Sequence, residues 1–194
     1  MLNKKGAMFG LDARIALAIF AALSVISGAA LYSAIQQSRV VSTVTSLEEV
    51  GKAIEAYMLD VGADLPLSSS NYDLEALLVS SVHGWKGPYL SITDDSIGNE
   101  NLPMKDAVDM RARLWGKTGR YDGAGDPNSV VCSAAQSPCN VYLEINQMDE
   151  SLARTIDEYV DGSVDIKTGR VQLSNIASGK ANLYYKSIVP LAQE

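Results

Sequence analysis

The stretch that decides the fold is Ile15–Ile35, with the sequence IALAIFAALSVISGAALYSAI. It contains no charged residue, and 17 of its 21 residues are apolar. Because an α-helix rises 1.5 Å per residue, a helix of this length spans about 31 Å, close to the hydrocarbon thickness of a bilayer. The stretch therefore predicts a helix of membrane-spanning length.

Apolar residues continue at helical spacing beyond this stretch as far as residue 58. The pattern then stops at Gly62 and Pro66, and a run of Ser and Asn over residues 68–71 is typical of a loop. We therefore expect an amphipathic continuation of the helix over residues 36–62. Its apolar positions are Val40, Val41, Val44, Leu47, Val50, Ile54, Tyr57 and Met58.

The remainder of the chain has the composition of a soluble domain. The sequence has 194 residues, 16 basic and 23 acidic side chains and a net charge of −7. This length allows one medium-sized domain and an appendage. The acidic balance argues against a broad phosphate-binding surface, so we do not expect direct binding to nucleic acid.

Three interpretations of the apolar helix have to be compared. Lys4 and Lys5 before an apolar run are typical of a cleaved secretory signal, but the helical pattern continues where a cleavage site would follow. A single-pass anchor is the second interpretation, with the basic N-terminus in the cytoplasm and the body outside. The third interpretation depends on Asp12, because a carboxylate at the start of an apolar helix is costly unless it is paired. An interfacial Asp12–Arg14 pair would fit the plain anchor.

Residues 4–12, KKGAMFGLD, together with the apolar run resemble the class III signal of type IV pilins and type II secretion pseudopilins. In that family a prepilin peptidase removes a short basic leader before the apolar helix. The new N-terminal residue is methylated, and an acid at the fifth position of the mature chain is needed for assembly. The resemblance covers about the first 60 residues.

The resemblance implies a cut between Ala7 and Met8, methylation of Met8 and an assembly role for Asp12, where the family usually has Glu. A cut after Gly6 would instead place Asp12 at the sixth position. Gly28 lies near the place of the family's helix-breaking proline and would supply flexibility. The implied organisation is a leader over residues 1–7, an assembly helix over 8–35, its amphipathic continuation over 36–62 and a head over 63–194.

The implied function is that of a structural subunit of a type IV filament rather than an enzyme. Before assembly it would span the inner membrane once, in contact with lipid and with its N-terminus in the cytoplasm. An assembly platform would then place it in a periplasmic or extracellular filament with itself and related pilin subunits. A pseudopilin that acts as a periplasmic piston subunit and a membrane-anchored binding module are the alternatives.

The head is predicted to be α+β, with an antiparallel sheet packed on the second half of the long helix. We expect a short helix over Tyr72–Ser81 capped by Asn71 and a strand over Tyr89–Thr93. A second amphipathic helix is expected over Asn146–Val160, with Asn146 as its cap and Gly162 after its end. Closing strands are expected at Val164–Ile166, Val171–Leu173 and Leu183–Val189.

Cys132 and Cys139 are the only cysteines, too few for a zinc site with the single His83. In an extracytoplasmic head, a local disulfide between them is favoured over free thiols. Apart from the weak calcium candidates described next, no cofactor is expected.

Several polar clusters are weaker candidates. Asp122 and Asp126 lie in an oxygen-rich loop of the kind that can hold Ca²⁺, without a complete calcium-loop spacing. A solvated loop is the alternative.

Nucleic-acid binding would need a local basic patch, for instance Arg111, Arg113, Lys117 and Arg120. His83 could serve as a base in an enzyme, but no catalytic motif accompanies it, and we interpret the carboxylates Asp157, Glu158 and Asp161 as a solvated face.

Overall fold

The structure, a computed structural model, describes residues 5–68, 71–92, 101–105, 107–121, 132, 135 and 137–191, with side chains from residue 10 onward. It divides into two compact units, residues 1–41 and residues 42–194. A single continuous helix, α1 (Lys5–Val61), forms the described part of the first unit and continues into the second. No proline interrupts these 57 residues.

The end of α1 is fixed by a glycine, as the sequence predicts. Gly62 has a left-handed backbone with φ of 74°, which a residue without a Cβ adopts at no steric cost. Its N–H donates to the carbonyl of Met58 at 2.8 Å and satisfies one of the last helical acceptors.

The second unit is α+β, as predicted, and its described residues form one antiparallel sheet of seven strands. The strand order is β1-β2-β4-β5-β7-β6, with β3 also paired to β4. The strands are β1 (Leu67–Ser68), β2 (Asn71–Tyr72), β3 (Asn101–Leu102), β4 (Met110–Trp115), β5 (Asn140–Asp149), β6 (Val171–Ala177) and β7 (Lys180–Lys186). A second helix, α2 (Glu150–Asp161), lies between β5 and β6 in the chain and packs against β5, β6 and β7.

One face of the sheet is apolar because alternate strand residues share a face. Val141, Leu143 and Ile145 of β5 are fully buried there, beside Leu183 of β7, which pairs with Ile145. The part of α1 in the second unit buries a helical stripe that supplies the rest of this core. Its most buried side chains are Leu47, Ile54 and Tyr57 at 0–1% exposure.

The opposite face of the sheet carries aromatic and polar side chains that are also buried. Trp115, Tyr142 and Tyr184 form one cluster, with ring centroids 5.0–5.4 Å from Trp115. Beside them Glu144, 4% exposed, accepts from Arg113 at 2.5 Å. This second core was not predicted from the sequence.

The predicted helix over Tyr72–Ser81 is wrong. Asn71 and Tyr72 form β2, paired with β4, and only a short 3₁₀ helix over Leu74–Leu77 follows. Its cap is Asp73, whose carboxylate accepts from the N–H of Glu75 at 3.0 Å. Pairing with β4 satisfies the backbone of residues 71–72 outside a helix, so tertiary contact overrides the local pattern.

Three other predicted elements also differ from the structure. The second helix begins at Glu150 rather than Asn146, because β5 continues to Asp149, paired with β4 as far as Ile145 and with β7 at Met148 and Asp149. Asp149 is the cap, accepting from the N–H groups of Ser151 and Leu152 at 3.0 and 3.2 Å. Residues 89–92 and 164–166 are not strands, whereas the closing strands β6 and β7 and the end of α2 at Gly162 are confirmed.

Candidate functional site

The first unit exposes apolar side chains all round its helix. Every residue from 10 to 35 is exposed in the single chain. The helix is long and apolar enough to cross a membrane, which is consistent with a single-pass anchor. The large exposed apolar residues, at 45–73% exposure, are Leu11, Ile15, Leu17, Ile19, Phe20, Leu23, Val25, Ile26, Leu31, Tyr32 and Ile35.

A surface of this kind requires a non-aqueous environment. Fully burying a Val, Leu, Ile or Phe side chain is worth about 1.5–3 kcal/mol. Leaving ten residues of these types and Tyr32 largely in water would therefore cost as much as the stability of an average domain. Soluble monomers expose apolar patches of only a few hundred Å². Lipid or other apolar helices must therefore surround this segment.

Asp12 and Arg14 are both exposed at the start of this segment. Residues two positions apart on a helix do not face each other, so the two side chains are poorly placed to pair. From Gly10 onward, where side chains are described, none forms an ion pair with Asp12. The Asp12–Arg14 pair that would suit a plain anchor is therefore not formed in this chain.

The predicted cleavage site precedes these residues. Ala7 and Met8 lie in the first turns of α1, but their side chains fall outside the described residues. Cleavage between them and methylation of Met8 stay predictions.

Gly28 lies within an unbroken part of α1. A Cβ added there would meet no atom within 4 Å, so no contact inside the chain requires a glycine. Its predicted flexibility has a physical basis, since glycine lowers helix stability by about 1 kcal/mol relative to alanine. Nearby, the Ser24 hydroxyl donates to the Phe20 carbonyl at 2.8 Å, a bond that often accompanies a bend in a helix.

The two cysteines are joined in the second unit. Cys132 and Cys139 form a disulfide with their Cα atoms 5.5 Å apart, which confirms the predicted pairing. The calcium candidates Asp122 and Asp126 lie outside the described residues. Among the residues that the structure does describe, no group of three or more His, Cys, Asp or Glu side chains could hold a metal ion.

The candidate basic patch is largely engaged within the chain. Arg111 pairs with Asp109 at 2.9 Å and Arg113 pairs with Glu144. Arg120 donates to the Ser174 hydroxyl at 3.1 Å and lies over the ring of Tyr184. Cations held in this way are poorly available for phosphate contacts, and Lys117 is the exposed member of the set.

Three other predicted positions have contrasting surroundings. His83 is exposed, in the turn before Trp85, whose indole N–H donates to the Ala76 carbonyl at 2.9 Å. Glu158 is exposed, as predicted for a solvated face. Asp157, however, is fully buried at 0% exposure, so the prediction of a solvated carboxylate is wrong there. Its place on the buried stripe of α2, four residues after Ala153, is the signal that could have identified it.

The chain matches no known protein family model, no curated protein and no solved structure. The geometry of the apolar helix and the chemistry of Asp12 therefore carry the functional conclusion.

Proposed function

We propose that this protein is a structural subunit of a type IV filament. In this proposal it is inserted once in the inner membrane with its N-terminus in the cytoplasm, and it polymerises through its N-terminal helix. The observation that carries the proposal is one continuous helix whose residues 10–35 have no buried side chain and whose later part is buried in a folded unit. The apolar part must be surrounded by apolar groups from outside the chain, and a filament core made of such helices would supply them.

Asp12 gives the assembly a register. After cleavage between Ala7 and Met8, each subunit would carry a cationic amine at Met8 and a carboxylate four residues later. An unpaired carboxylate in a bundle of apolar helices costs several kcal/mol, whereas one that faces a neighbour's amine is compensated. Contact between two different surfaces of the same chain does not close on itself, so it extends as a helical filament.

The outer wall of the filament would be the acidic second unit. Removal of residues 1–7 takes away Lys4 and Lys5, which leaves 14 basic and 23 acidic side chains and a net charge of −9. A wall of this charge favours solubility and disfavours direct contact with nucleic acid.

The first test is the mass of the mature N-terminus, isolated from cells that carry a prepilin peptidase. We expect a chain that begins with methylated Met8. An intact leader, or a cut after Ile35, would contradict the proposal and favour a plain anchor or a secretory signal.

The second test concerns assembly. Asp12→Ala should abolish filaments while membrane insertion and the fold of the second unit are retained, because the apolar helix is unchanged. Asp12→Glu keeps the carboxylate and is the matched control, so it should still assemble. Unchanged filaments in Asp12→Ala would overturn the register argument. The location of the wild-type filament then distinguishes a surface pilus from a periplasmic pseudopilus.

A further inference from the structure

Three carboxylates lie close together in sequence where α2 leads into β6. Two of them hold the backbone of this connection. Asp161 accepts from the N–H groups of Arg170 and Val171 at 3.0 and 2.9 Å, one on each carboxylate oxygen. Asp165 accepts from the N–H of Lys167 at 3.0 Å and from the Thr168 hydroxyl at 2.6 Å. Hydrogen bonds to a carboxylate favour its charged form, and they lower the pKa of Asp165.

Asp157 is the third carboxylate, and it lacks the hydrogen-bond donors that Asp161 and Asp165 have. It is 0% exposed, on the face of α2 that also buries Leu152, Ala153 and Ile156. Neither of its carboxylate oxygens has a hydrogen-bond partner among the described residues. The backbone N–H of Asp165 lies near enough to favour the charged form but does not reach hydrogen-bond geometry. A buried carboxylate without donors is costly when it is ionised.

The charges around Asp157 increase this cost. From α2 itself it faces Asp161 and Arg154, and from the loop after α2 it faces Asp165. Arg154 is the only cation of this set, and its guanidinium pairs with Glu150 at 2.9 Å. None of the charged groups that act most strongly on Asp157 lies on β5, β6 or β7, against which α2 packs. An ionised Asp157 would therefore add a third negative charge to this connection.

We infer that the second unit contains a proton switch at the connection from α2 to β6, in which α2 packs tightly on the sheet while Asp157 is protonated and this packing is weakened when Asp157 is ionised. Burial, followed by the charge of Asp161, raises the pKa of the Asp157 carboxyl to about 6. The ordinary value applies in the unfolded chain, so the folded state binds this proton more tightly. The contribution of Asp157 to stability is therefore greatest in acid and is lost as the pH rises from about 4 to about 6.

The test is thermal unfolding of the full chain in detergent micelles at about pH 4.5 and about pH 7.5. Asp157→Asn keeps the size of the side chain and cannot ionise. We expect it to raise the unfolding midpoint at the higher pH and to raise it much less at the lower, where most of the loss has not yet occurred. A shift of about two pKa units corresponds to about a hundredfold change in the folding equilibrium at the higher pH. Glu158→Gln removes the neighbouring exposed carboxylate and is the matched control, with no pH-dependent gain expected.

Two results of the unfolding experiment would overturn the inference. A fall in the midpoint of Asp157→Asn at the higher pH would show that the carboxylate is a required acceptor. An equal change at both pH values would show that its ionisation does not affect the fold. A ¹³C titration of the wild-type carboxyl groups, with the Asp157 signal assigned by its absence in Asp157→Asn, checks the switch directly. A midpoint near the ordinary value for Asp, about 4, would also overturn it.

Discussion

The two halves of α1 are one continuous helix with opposite relations to the rest of the chain. In the first half, Leu23 is 58% exposed and Ile26 is 66% exposed. In the second half, Leu47 and Ile54 are 0% exposed and form part of a core with the sheet. Similar apolar side chains on the same backbone thus serve two purposes: one half folds the chain, and the other half is left for surroundings outside it.

The sequence difference that separates the halves is the pattern of polar residues. Residues 15–35 carry no charge on any side of the helix, whereas Glu48, Glu49 and Lys52 are exposed between the buried positions of the second half. A helix that is apolar all round is buried in lipid or protein, and one with a single apolar stripe lies on a core. The amount of apolar surface alone does not distinguish these roles.

The largest expected effect comes from the same substitution made in each half. Leu47→Ala should lower the free energy of unfolding of the second unit by about 2–5 kcal/mol, because it removes buried methyl groups and leaves a cavity. Leu23→Ala should leave that free energy unchanged, since Leu23 contributes nothing to the core. Chemical denaturation of the full chain in detergent, followed by near-UV circular dichroism, measures both.

Leu23→Ala is itself the matched control, because it removes the same atoms from the same helix. Equal losses in the two variants would mean that the first half contributes to the fold of the second unit, and the comparison would fail.

A second prediction concerns the point where the packed half of α1 ends. Gly84 has φ of 92°, and a Cβ there would lie 2.7 Å from the Asp60 carbonyl oxygen and 3.3 Å from the Val61 Cα. Both are backbone atoms of α1 and cannot rotate away. Gly84→Ala should therefore cost at least the roughly 1–3 kcal/mol that is typical of strained backbone. Loss of thermal stability in the full chain checks this.

Gly62→Ala separates the cost of left-handed backbone from the cost of a steric clash with α1. Gly62 has a similar φ of 74°, but a Cβ there would meet nothing within 4 Å, so only the cost of the left-handed backbone remains. If the two variants were equally destabilised, the close approach of Gly84 to the end of α1 would have no energetic importance.

The parts of the fold that were predictable are those governed by a pattern along the chain. The apolar run and the stripe after it predicted α1, and Gly62 and Gly162 predicted where the helices end. Alternating apolar residues near Val171 and Leu183 predicted the closing strands. For the candidate site, the sequence predicted the Cys132–Cys139 disulfide, which is confirmed, and the assembly role of Asp12, which stays a prediction.

The remaining features depend on contacts between distant residues. Asn146 is a good helix cap by composition, but pairing with β7 at Met148 and Asp149 keeps β5 extended to Asp149. Similarly, Arg113 and Glu144 are 31 residues apart in sequence, so the pairing of Arg113 with the buried Glu144 follows from strand register. Asp157 was misjudged because its residue type suggested solvent while its helical position placed it on the buried face.

The smallest expected effect comes from replacing one glycine in each half of α1, Gly28 in the first half and Gly51 in the second. At Gly28 an added Cβ meets nothing, so Gly28→Ala should gain about 1 kcal/mol of local helix stability without changing the unfolding of the second unit. At Gly51 the added Cβ would collide with the Ser187 hydroxyl, within the second unit. The same intrinsic gain is therefore offset by displacement of Ser187.

The contribution of Ser187 can be isolated, because its hydroxyl is a side-chain end that can move. Gly51→Ala should change the unfolding midpoint little or lower it slightly, whereas the same change combined with Ser187→Ala should recover the helix gain relative to Ser187→Ala alone. Far-UV circular dichroism of Gly28→Ala in detergent reports the corresponding gain in the first half. If Gly51→Ala alone gave the full gain, α1 and Ser187 would not be as tightly packed as the structure shows. The contrast between the two halves would then depend on large side chains such as Leu47 and not on the approach of the backbone.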